Sequence, residues 1–466
     1  TAVGYTALVS NTTGASNVAV GTSALLANTT ATGNTSVGKD SLRANTTGAN
    51  NVAVGLSALN GNTTAHQNTA VGMSALLLNT TGANNTATGT YAMRANTTGA
   101  ANTAFGTESL KENTTGHSNI ALGYKAMLDN TTGYGNSVVG INAFSNNTTG
   151  HTSVAIGENA LITNTTGATN VAIGSSSMHQ NTTGTLNTAI GVSSLFANTT
   201  AGSNTAVGFS SLNANTTGAD NTAVGRSALQ ANTTGANNVA VGINSLKNNT
   251  TASNNTAFGQ NALFANTTGA QNVAMGRQAL GTSSQAMYGT AIGYQALTSV
   301  TTGGYNTSLG AFAGDHITTG TYNTNLGYNA DATSATANGN FTLGDNNVAT
   351  LRCNDTSISS LSDERDKTDV VDLPHGLDFI NQTRPVKFKW ETRDGNCKDG
   401  QINYGFIAQE LLKLGDNAEH KLVLEENPDK LEASYGNLLP IMVKAIQDLS
   451  AQVTILQGEV KTLKGK

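Results

Sequence analysis

Short apolar triplets and polar turn residues alternate along most of the chain at a fixed interval of seventeen residues. A glycine recurs at every seventeenth position from Gly4 to Gly344, which makes 21 glycines without interruption. A triplet such as Val239-Ala240-Val241 precedes the glycine, and Ala or Ser followed by Leu or Met usually lies three and four residues after it. Such β-like triplets, bounded by Asn and Gly, predict one short strand per repeat.

Stacking these units predicts a parallel β-solenoid in which each unit forms one coil. Equivalent residues would be separated by the strand spacing of about 4.8 Å, and twenty steps would give a rod roughly 95 Å long. The invariant glycine indicates a positive φ or a close approach by another backbone. Each coil offers about two large apolar side chains, such as Val241 and Leu246. We therefore expect copies of the chain to associate side by side along a leftover apolar face.

The element Asn-Thr-Thr recurs 16 times, from Asn11 to Asn266, and glycine usually closes it. In a stack of coils these asparagines align, and we expect them to form amide ladders along the rod. The triplet is also a formal N-glycosylation acceptor, but the ladder is the favoured interpretation. Alanine replaces the closing glycine in four coils, so this corner tolerates a side chain: Ala31, Ala65, Ala201 and Ala252.

The pattern after Gly344 predicts a different fold. Helices are expected over 373–380 and 406–414, with a strand over 385–390 between them. Apolar residues then recur at alternating intervals of three and four, as in a coiled coil. One core position holds Leu439, Ile446, Val453 and Val460, and the other holds Met442, Leu449, Leu456 and Leu463.

Charge separates the two parts of the chain. Residues 1–344 carry eight Lys/Arg and eight Asp/Glu, so the net charge of −5 belongs to the last 122 residues. A mildly acidic chain with an almost uncharged rod is a poor nucleic-acid binder. No secretory signal, membrane-spanning run or lipidation motif is recognisable, so we expect no membrane insertion. Thr1 lies inside a repeat, so we expect the natural N-terminus upstream. Cys353 and Cys397 are too few for a disulfide framework.

Four blocks in the C-terminal part carry a family resemblance. They read SDERDK (362–367), RPVKFKW (384–390), YGFIAQE (404–410) and LPIMVKAI (439–446). In this order they resemble the C-terminal intramolecular chaperone of phage endosialidase tailspikes. The resemblance implies a trimerising chaperone that assembles the β-rich fibre ahead of it and then cuts itself off at a serine.

Carried over to this chain, the resemblance implies that Ser362 attacks the Leu361–Ser362 bond and that Lys367 is its base. The result would be a serine endopeptidase that turns over once. Asp363 and Arg365 match motif positions that hold the loop. The chemistry is sound independently of the family, because a lysine can activate a serine hydroxyl when burial favours the neutral amine. The alternative is that Ser362 caps a turn and Lys367 is a solvated surface charge.

The predicted molecule is mostly β, with a trimeric parallel β-solenoid or β-roll shaft followed by a small α+β chaperone domain that ends in a coiled coil. We place the shaft at 1–344, a connector and fibre tip at 345–361, the chaperone at 362–438 and the coiled-coil helix at 439–466. The repeats also resemble, more loosely, the β-roll heads of trimeric autotransporter adhesins, which use a shorter unit.

These features predict a phage tail fibre or virion appendage, made in the host cytoplasm, whose trimeric shaft serves attachment to the host surface. Expected partners are further copies of the chain, a host receptor with a glycan as the candidate class, and other tail proteins bound through a missing N-terminal part. No cofactor or metal is expected, although His66, His117 and His151 share one repeat position and could form metal-binding rings on a threefold axis. Two alternatives stay open: a bacterial surface adhesin of the trimeric β-roll type, and an ice-binding β-solenoid with arrays of threonines such as Thr233 and Thr234.

Overall fold

A computed structural model describes residues 1–345, 347–348, 351–352, 362–391, 400–415, 417–425 and 431–465. Three residues that the sequence singles out, Cys353, Cys397 and Leu361, lie outside these ranges.

The repeat region forms one parallel sheet of 21 short strands. Strands β1 to β21 are Ala2–Val3, Val18–Val20, Thr35–Val37, Val52–Val54, Thr69–Val71, Thr86–Thr88, Thr103–Phe105, Ile120–Leu122, Ser137–Val139, Val154–Ile156, Val171–Ile173, Thr188–Ile190, Thr205–Val207, Thr222–Val224, Val239–Val241, Thr256–Phe258, Val273–Met275, Thr290–Ile292, Thr307–Leu309, Thr324–Leu326 and Phe341–Leu343. Every pairing joins residues seventeen apart, as Ala223 and Ala240 do between β14 and β15. The predicted β-solenoid of 17-residue coils is therefore confirmed.

The interior of each coil is narrow and holds two small side chains and one large one. In the coil around Gly242, Ala240 and Ser245 are fully buried beside Leu246. We expected Val241 in this core, but its side chain faces outward and is only half-buried. Successive strand residues point to opposite faces, so burial of Ala240 places Val241 outside. The core is thus thinner than the sequence suggested.

The large core residue of each coil has a left-handed backbone. From Leu8 to Leu297, eighteen residues at this position have φ between 47° and 53°. All are Leu, Met or Phe, because β-branched side chains are strongly disfavoured at positive φ. In this conformation the N–H of Leu229 points along the rod and donates to the carbonyl of Ser245 in the next coil, at 3.0 Å. The chain thus turns a corner without interrupting the hydrogen bonds between coils.

Two columns of buried asparagines run along the shaft. In the Asn-Thr-Thr column, Nδ2 of Asn232 donates to Oδ1 of Asn215 at 2.8 Å and to the carbonyl of Gly235 at 2.9 Å. Side-chain bonds of 2.7 to 3.2 Å link its members from Asn11 to Asn266. A second column, six residues later in each coil, accepts hydrogen bonds from the backbone of the following coil. The predicted amide ladders are present, and since an unpaired buried amide is costly, each coil depends on the next.

The recurring glycine shows both features that its invariance suggested. In its first twenty occurrences φ lies between 119° and 144°. A Cβ atom at Gly123 would also lie 2.4 Å from the carbonyl oxygen of Gly140 in the next coil. The backbone angle therefore disfavours any side chain here, and the close contact between coils adds crowding.

The C-terminal part contains short helices, two strand pairs and one long helix. The elements are α1 (Leu377–Ile380), β22 (Val386–Phe388), β23 (Asn403–Gly405), α2 (Ala408–Leu411), α3 (Asn417–His420), β24 (Val423–Leu424), β25 (Glu432–Ala433) and α4 (Leu438–Lys464), with 3₁₀ turns at Glu364–Asp366 and Tyr435–Asn437. Strands β22 and β23 pair antiparallel, as do β24 and β25. Phe379, Leu411, Leu438 and Ile441 lie at the centre of a small separate core.

The short elements differ in length from the predicted ones. Helix α1 begins only at Leu377, because Pro374 and Gly376 interrupt the segment in which we expected helix from residue 373. Helix α2 covers four residues of the predicted 406–414, since Ile407 before it has an extended backbone. The predicted strand and the long C-terminal helix are both present.

Candidate processing site and association surfaces

Ser362 and Lys367 lie together at the start of the C-terminal part. Nζ of Lys367 donates a hydrogen bond to Oγ of Ser362 at 2.7 Å. The 3₁₀ turn Glu364–Asp366 lies between them and folds the five-residue interval back on itself. At this distance a deprotonated amine is within reach of the hydroxyl proton, which is the geometry that a serine–lysine pair needs.

Asp363 and Arg365 hold this turn. Oδ1 of Asp363 accepts hydrogen bonds from the backbone N of Arg365 at 2.9 Å and from its Nε at 3.0 Å. Oδ2 of Asp363 accepts from Nη2 of Arg365 at 2.5 Å. The Arg365 side chain, and then its backbone N–H, hold the pKa of Asp363 below its ordinary value. Asp363 thus caps the turn, which is the role that the alternative interpretation gave to Ser362.

The surroundings of the Ser362–Lys367 pair are open in the single chain, where both residues are exposed. The expected mechanism requires burial around the lysine, and the described residues of one chain do not supply it. Leu361, whose carbonyl would be attacked, lies outside the described residues. The catalytic roles therefore remain predictions.

An apolar stripe runs along the outside of the shaft, formed by the last residue of each strand except β6, where this residue is Thr88. Most of its side chains are between 36% and 61% exposed. Together they present on the order of 1,000 Å² of apolar surface, more than the roughly 300–600 Å² patch of a typical monomer. The stripe is the leftover apolar face that the thin core led us to expect. Its exposed members are Val3, Val20, Val37, Val54, Val71, Phe105, Leu122, Val139, Ile156, Ile190, Val224, Phe258, Met275, Leu309, Leu326 and Leu343.

Helix α4 carries a second unpartnered apolar surface. Its first turns bury Leu438, Ile441 and Ala445, and α1 packs against this helix. The eight heptad positions, in contrast, are all between 42% and 73% exposed in the single chain. A row of apolar residues with this spacing is typical of a coiled-coil seam that another helix covers. We name these eight residues the heptad face: Leu439, Met442, Ile446, Leu449, Val453, Leu456, Val460 and Leu463.

The other candidate residues lie on the surface of the shaft or in its ladders. His117 and His151 stack on Tyr134 between them, with ring centroids 5.1 and 4.7 Å apart, while His66 lies in an earlier coil. Rings of histidines on a threefold axis stay a prediction. From Asn28 to Asn266 the Asn-Thr-Thr asparagines are fully buried in the ladder, as Asn232 is, so the folded shaft offers no free amide for glycosylation at these positions, whereas Asn11 is half-buried.

The threonine columns differ from a flat array of free hydroxyls. Oγ1 of Thr233, the first threonine of its triplet, donates to the carbonyl of Thr250 at 3.0 Å. Thr234, the second, is exposed. One hydroxyl per coil is therefore committed to the backbone and one is left for solvent.

Comparisons with known proteins identify the C-terminal part. Residues 362–419 match the family model described as the chaperone of endosialidase, which confirms the family resemblance and includes three of its four sequence blocks. The match begins at Ser362, the first residue of the candidate processing site. No curated protein matches the chain. Among the described residues, no helix is both long enough and apolar enough to span a membrane.

Proposed function

We propose that the protein is a phage tail fibre or a similar virion appendage, a trimer that its C-terminal chaperone assembles and then leaves by cutting the Leu361–Ser362 bond. The observation that carries this proposal is the position of the Ser362–Lys367 pair, with 2.7 Å between Oγ and Nζ, at the first residue of the chaperone match. A processing site at the border between chaperone and shaft fits a chaperone that is needed only during assembly.

The trimer is supported by two surfaces of the same chain. The apolar stripe and the heptad face are both long and exposed in one copy. Other copies of this chain fit both surfaces. The stripe repeats once per coil, as the stripe of a second shaft would, and the heptad face repeats every seven residues, as that of a second α4 would. A parallel arrangement would pair stripe with stripe along the shaft and heptad with heptad along α4.

The proposed cleavage proceeds in two steps. Neutral Lys367 takes the hydroxyl proton of Ser362 while Oγ attacks the Leu361 carbonyl carbon, and the C–N bond then breaks as the proton passes to the nitrogen. This leaves an ester between Leu361 and Oγ of Ser362. Water then hydrolyses the ester, giving a carboxylate on Leu361 and a free hydroxyl and amine on Ser362.

Assembly supplies the condition that the single chain lacks. Lys367 is exposed in one copy, and a neutral lysine is favoured when water is excluded. A neighbouring copy that covers the turn would exclude water, so cleavage would follow assembly and the chaperone would not be lost too early.

The test uses the full chain and intact-mass measurement after purification. The parent chain should separate into fragments 1–361 and 362–466, whereas Ser362→Ala and Lys367→Arg should stay whole, because the first lacks the nucleophile and the second keeps the charge but cannot become a neutral base. Thr368→Ala, next to the pair, is the matched control and should be cut like the parent. Cleavage of both Ser362→Ala and Lys367→Arg, or a parent chain that stays whole as an assembled trimer, would overturn the processing proposal.

In this function the shaft reaches toward the host cell, and a cell-surface glycan is the receptor class we propose. Other virion proteins are the further partners we propose. The assembled fibre would belong to the virion after synthesis in the host cytoplasm.

A further inference from the structure

Three metal-ligating side chains converge in the chaperone part, away from the processing pair. His375 lies in the segment before α1, and Glu419 and His420 are the last residues of α3. Their donor atoms all lie within 4.8 Å of one another. The fold thus brings together groups that are 44 residues apart in the chain.

The spacing fits a bound ion better than a direct hydrogen bond. Nε2 of His375 and Oε1 of Glu419 are 3.7 Å apart, too far for a hydrogen bond. Two ligands at 2.0–2.1 Å from a tetrahedral zinc ion are about 3.4 Å apart, so shifts of a few tenths of an ångström would bring this pair to coordination distance. Among the described residues, no side-chain hydrogen bond holds any of the three donor groups in another arrangement.

The backbone on both sides of the cluster is held in place. On the α3 side, Asn417 accepts a hydrogen bond from the backbone N of Val423 at 3.0 Å and donates to its carbonyl at 2.8 Å. On the His375 side, the backbone N of Leu377 donates to Oδ2 of Asp448 on α4 at 3.2 Å. The Lys444 ammonium and then this N–H hold the pKa of Asp448 below its ordinary value, so the carboxylate is charged and the contact is maintained at neutral pH.

The cluster borders an open cavity. A cavity of about 430 Å³ is lined by all three residues and by Asp378 and Gly415. The two imidazole rings are perpendicular, with centroids 4.5 Å apart, beside buried Phe379. Three protein ligands with free space beside them match sites in which water or another small ligand completes the coordination sphere.

A second cluster in the shaft differs in one decisive respect. There Nδ1 of His316 lies 2.9 Å from a carboxylate oxygen of Asp315 and 2.6 Å from one of Asp331. Burial would lower the pKa of His316, but the two carboxylates raise it above its ordinary value. His316 Nδ1 is therefore within direct hydrogen-bond distance of an Asp331 carboxylate oxygen, which leaves no room for an ion between these two donor atoms.

We infer that His375, Glu419 and His420 bind one first-row divalent cation of the zinc class. Ions of the zinc class bind well to two imidazoles and one carboxylate, whereas magnesium and calcium prefer sites made of oxygen ligands alone. The ion ties the segment before α1 to helix α3 and so stabilises the chaperone, because binding to the folded state alone adds to its stability. This inference is independent of self-cleavage.

The experiment uses the untagged full chain with Ser362→Ala, which keeps the chaperone attached whether or not the parent is cut. Co²⁺ is titrated as the probe, followed by its visible absorption, and Zn²⁺ is added in competition. We expect one Co²⁺ to bind per chain and Zn²⁺ to displace it. The midpoint temperature of unfolding, followed by the helical circular-dichroism signal, should rise when Zn²⁺ is added. His420→Ala should abolish the binding. Glu419→Gln, at an exposed side chain whose shape glutamine keeps, should weaken it at least about tenfold.

His316→Ala is the matched control, because it removes a histidine from the other three-residue cluster. Binding to that variant should equal binding to the parent. The inference is overturned if the parent binds no Co²⁺, if binding survives both His420→Ala and Glu419→Gln, or if His316→Ala abolishes it and so places the ion in the shaft. Because Glu419→Gln tests the site without removing a packed ring, misfolding of His420→Ala would still leave a decisive comparison.

Discussion

At the scale of single residues, the shaft depends on backbone angles that most side chains disfavour. A comparison of Gly116 with Gly123 separates the effect of the backbone angle φ from the effect of crowding by the next coil. A Cβ at either glycine would lie 2.4 Å from a carbonyl oxygen of the next coil. Only Gly123 has a positive φ, at 138°, and alanine occupies the position equivalent to Gly116 in four other coils. A small shift of the neighbouring coil therefore relieves crowding, whereas the angle at Gly123 remains strained for any side chain.

We predict that Gly123→Ala destabilises the shaft by about 1–3 kcal/mol, the usual cost of forcing a side chain into a backbone region reserved for glycine. Gly116→Ala should lower stability clearly less. Thermal unfolding of the two full-length variants, followed by circular dichroism under identical conditions, makes the comparison. Equal shifts for both variants would mean that crowding, and not φ, keeps the recurring glycine invariant.

Single residues also show where sequence reasoning succeeds and where it stops. The 17-residue spacing was enough to predict the asparagine ladders and the special backbone of the recurring glycine. It could not show whether Val241 lies inside or outside the coil. One face of each strand lines the core and the other forms the apolar stripe, so both faces carry apolar residues. The left-handed φ of residues such as Leu229 was missed, although the absence of Val, Ile and Thr at that position was a signal for it.

At the scale of elements, helix α4 uses two of its faces differently. Leu438, Ile441 and Ala445 are buried within the chain, while the heptad face is exposed. A monomer gains nothing from exposed apolar residues at regular heptad spacing, but a coiled coil requires them. The coiled coil is therefore predicted from the sequence and supported by the exposure of its seam.

Substitution of the heptad face should affect assembly without damage to the single chain. In the Ser362→Ala background, Ile446→Gln combined with Leu449→Gln should greatly reduce the trimeric fraction, since each buried apolar side chain is worth about 1.5–3 kcal/mol. Ser450→Gln, exposed but outside the heptad face, is the control and should leave assembly unchanged. Sedimentation equilibrium gives the masses. An undiminished trimer in the double variant would show that α4 is not a seam.

The arrangement of the helices and turns explains why the sequence revealed the Ser362–Lys367 pair but not the histidine cluster. Ser362 and Lys367 are five residues apart, so a single local turn brings them together and a motif can reveal them. His375 and His420 come together because the His420 ring, at the end of α3, packs against Phe379 of α1 and against His375 itself. No spacing rule connects such distant residues, and our expectation of a chain without metal sites did not consider them.

At the scale of the whole molecule, the near-identity of the coils stabilises the shaft but also makes its register hard to define. Each coil bonds to the next through the same ladders, but slipping by one coil changes few contacts because neighbouring units are nearly identical. A C-terminal trimer that forms first would set the register once, and the coils could then align from that end. Removal of the chaperone would leave a shaft that unfolds only slowly.

The most direct test of the trimeric, self-processed fibre is native mass spectrometry of the full chain, purified without heating. The prediction is one species that contains three copies of fragment 1–361, with fragment 362–466 released from each. A species with the mass of one chain or of two chains would contradict the trimer, and three uncut chains would contradict the processing.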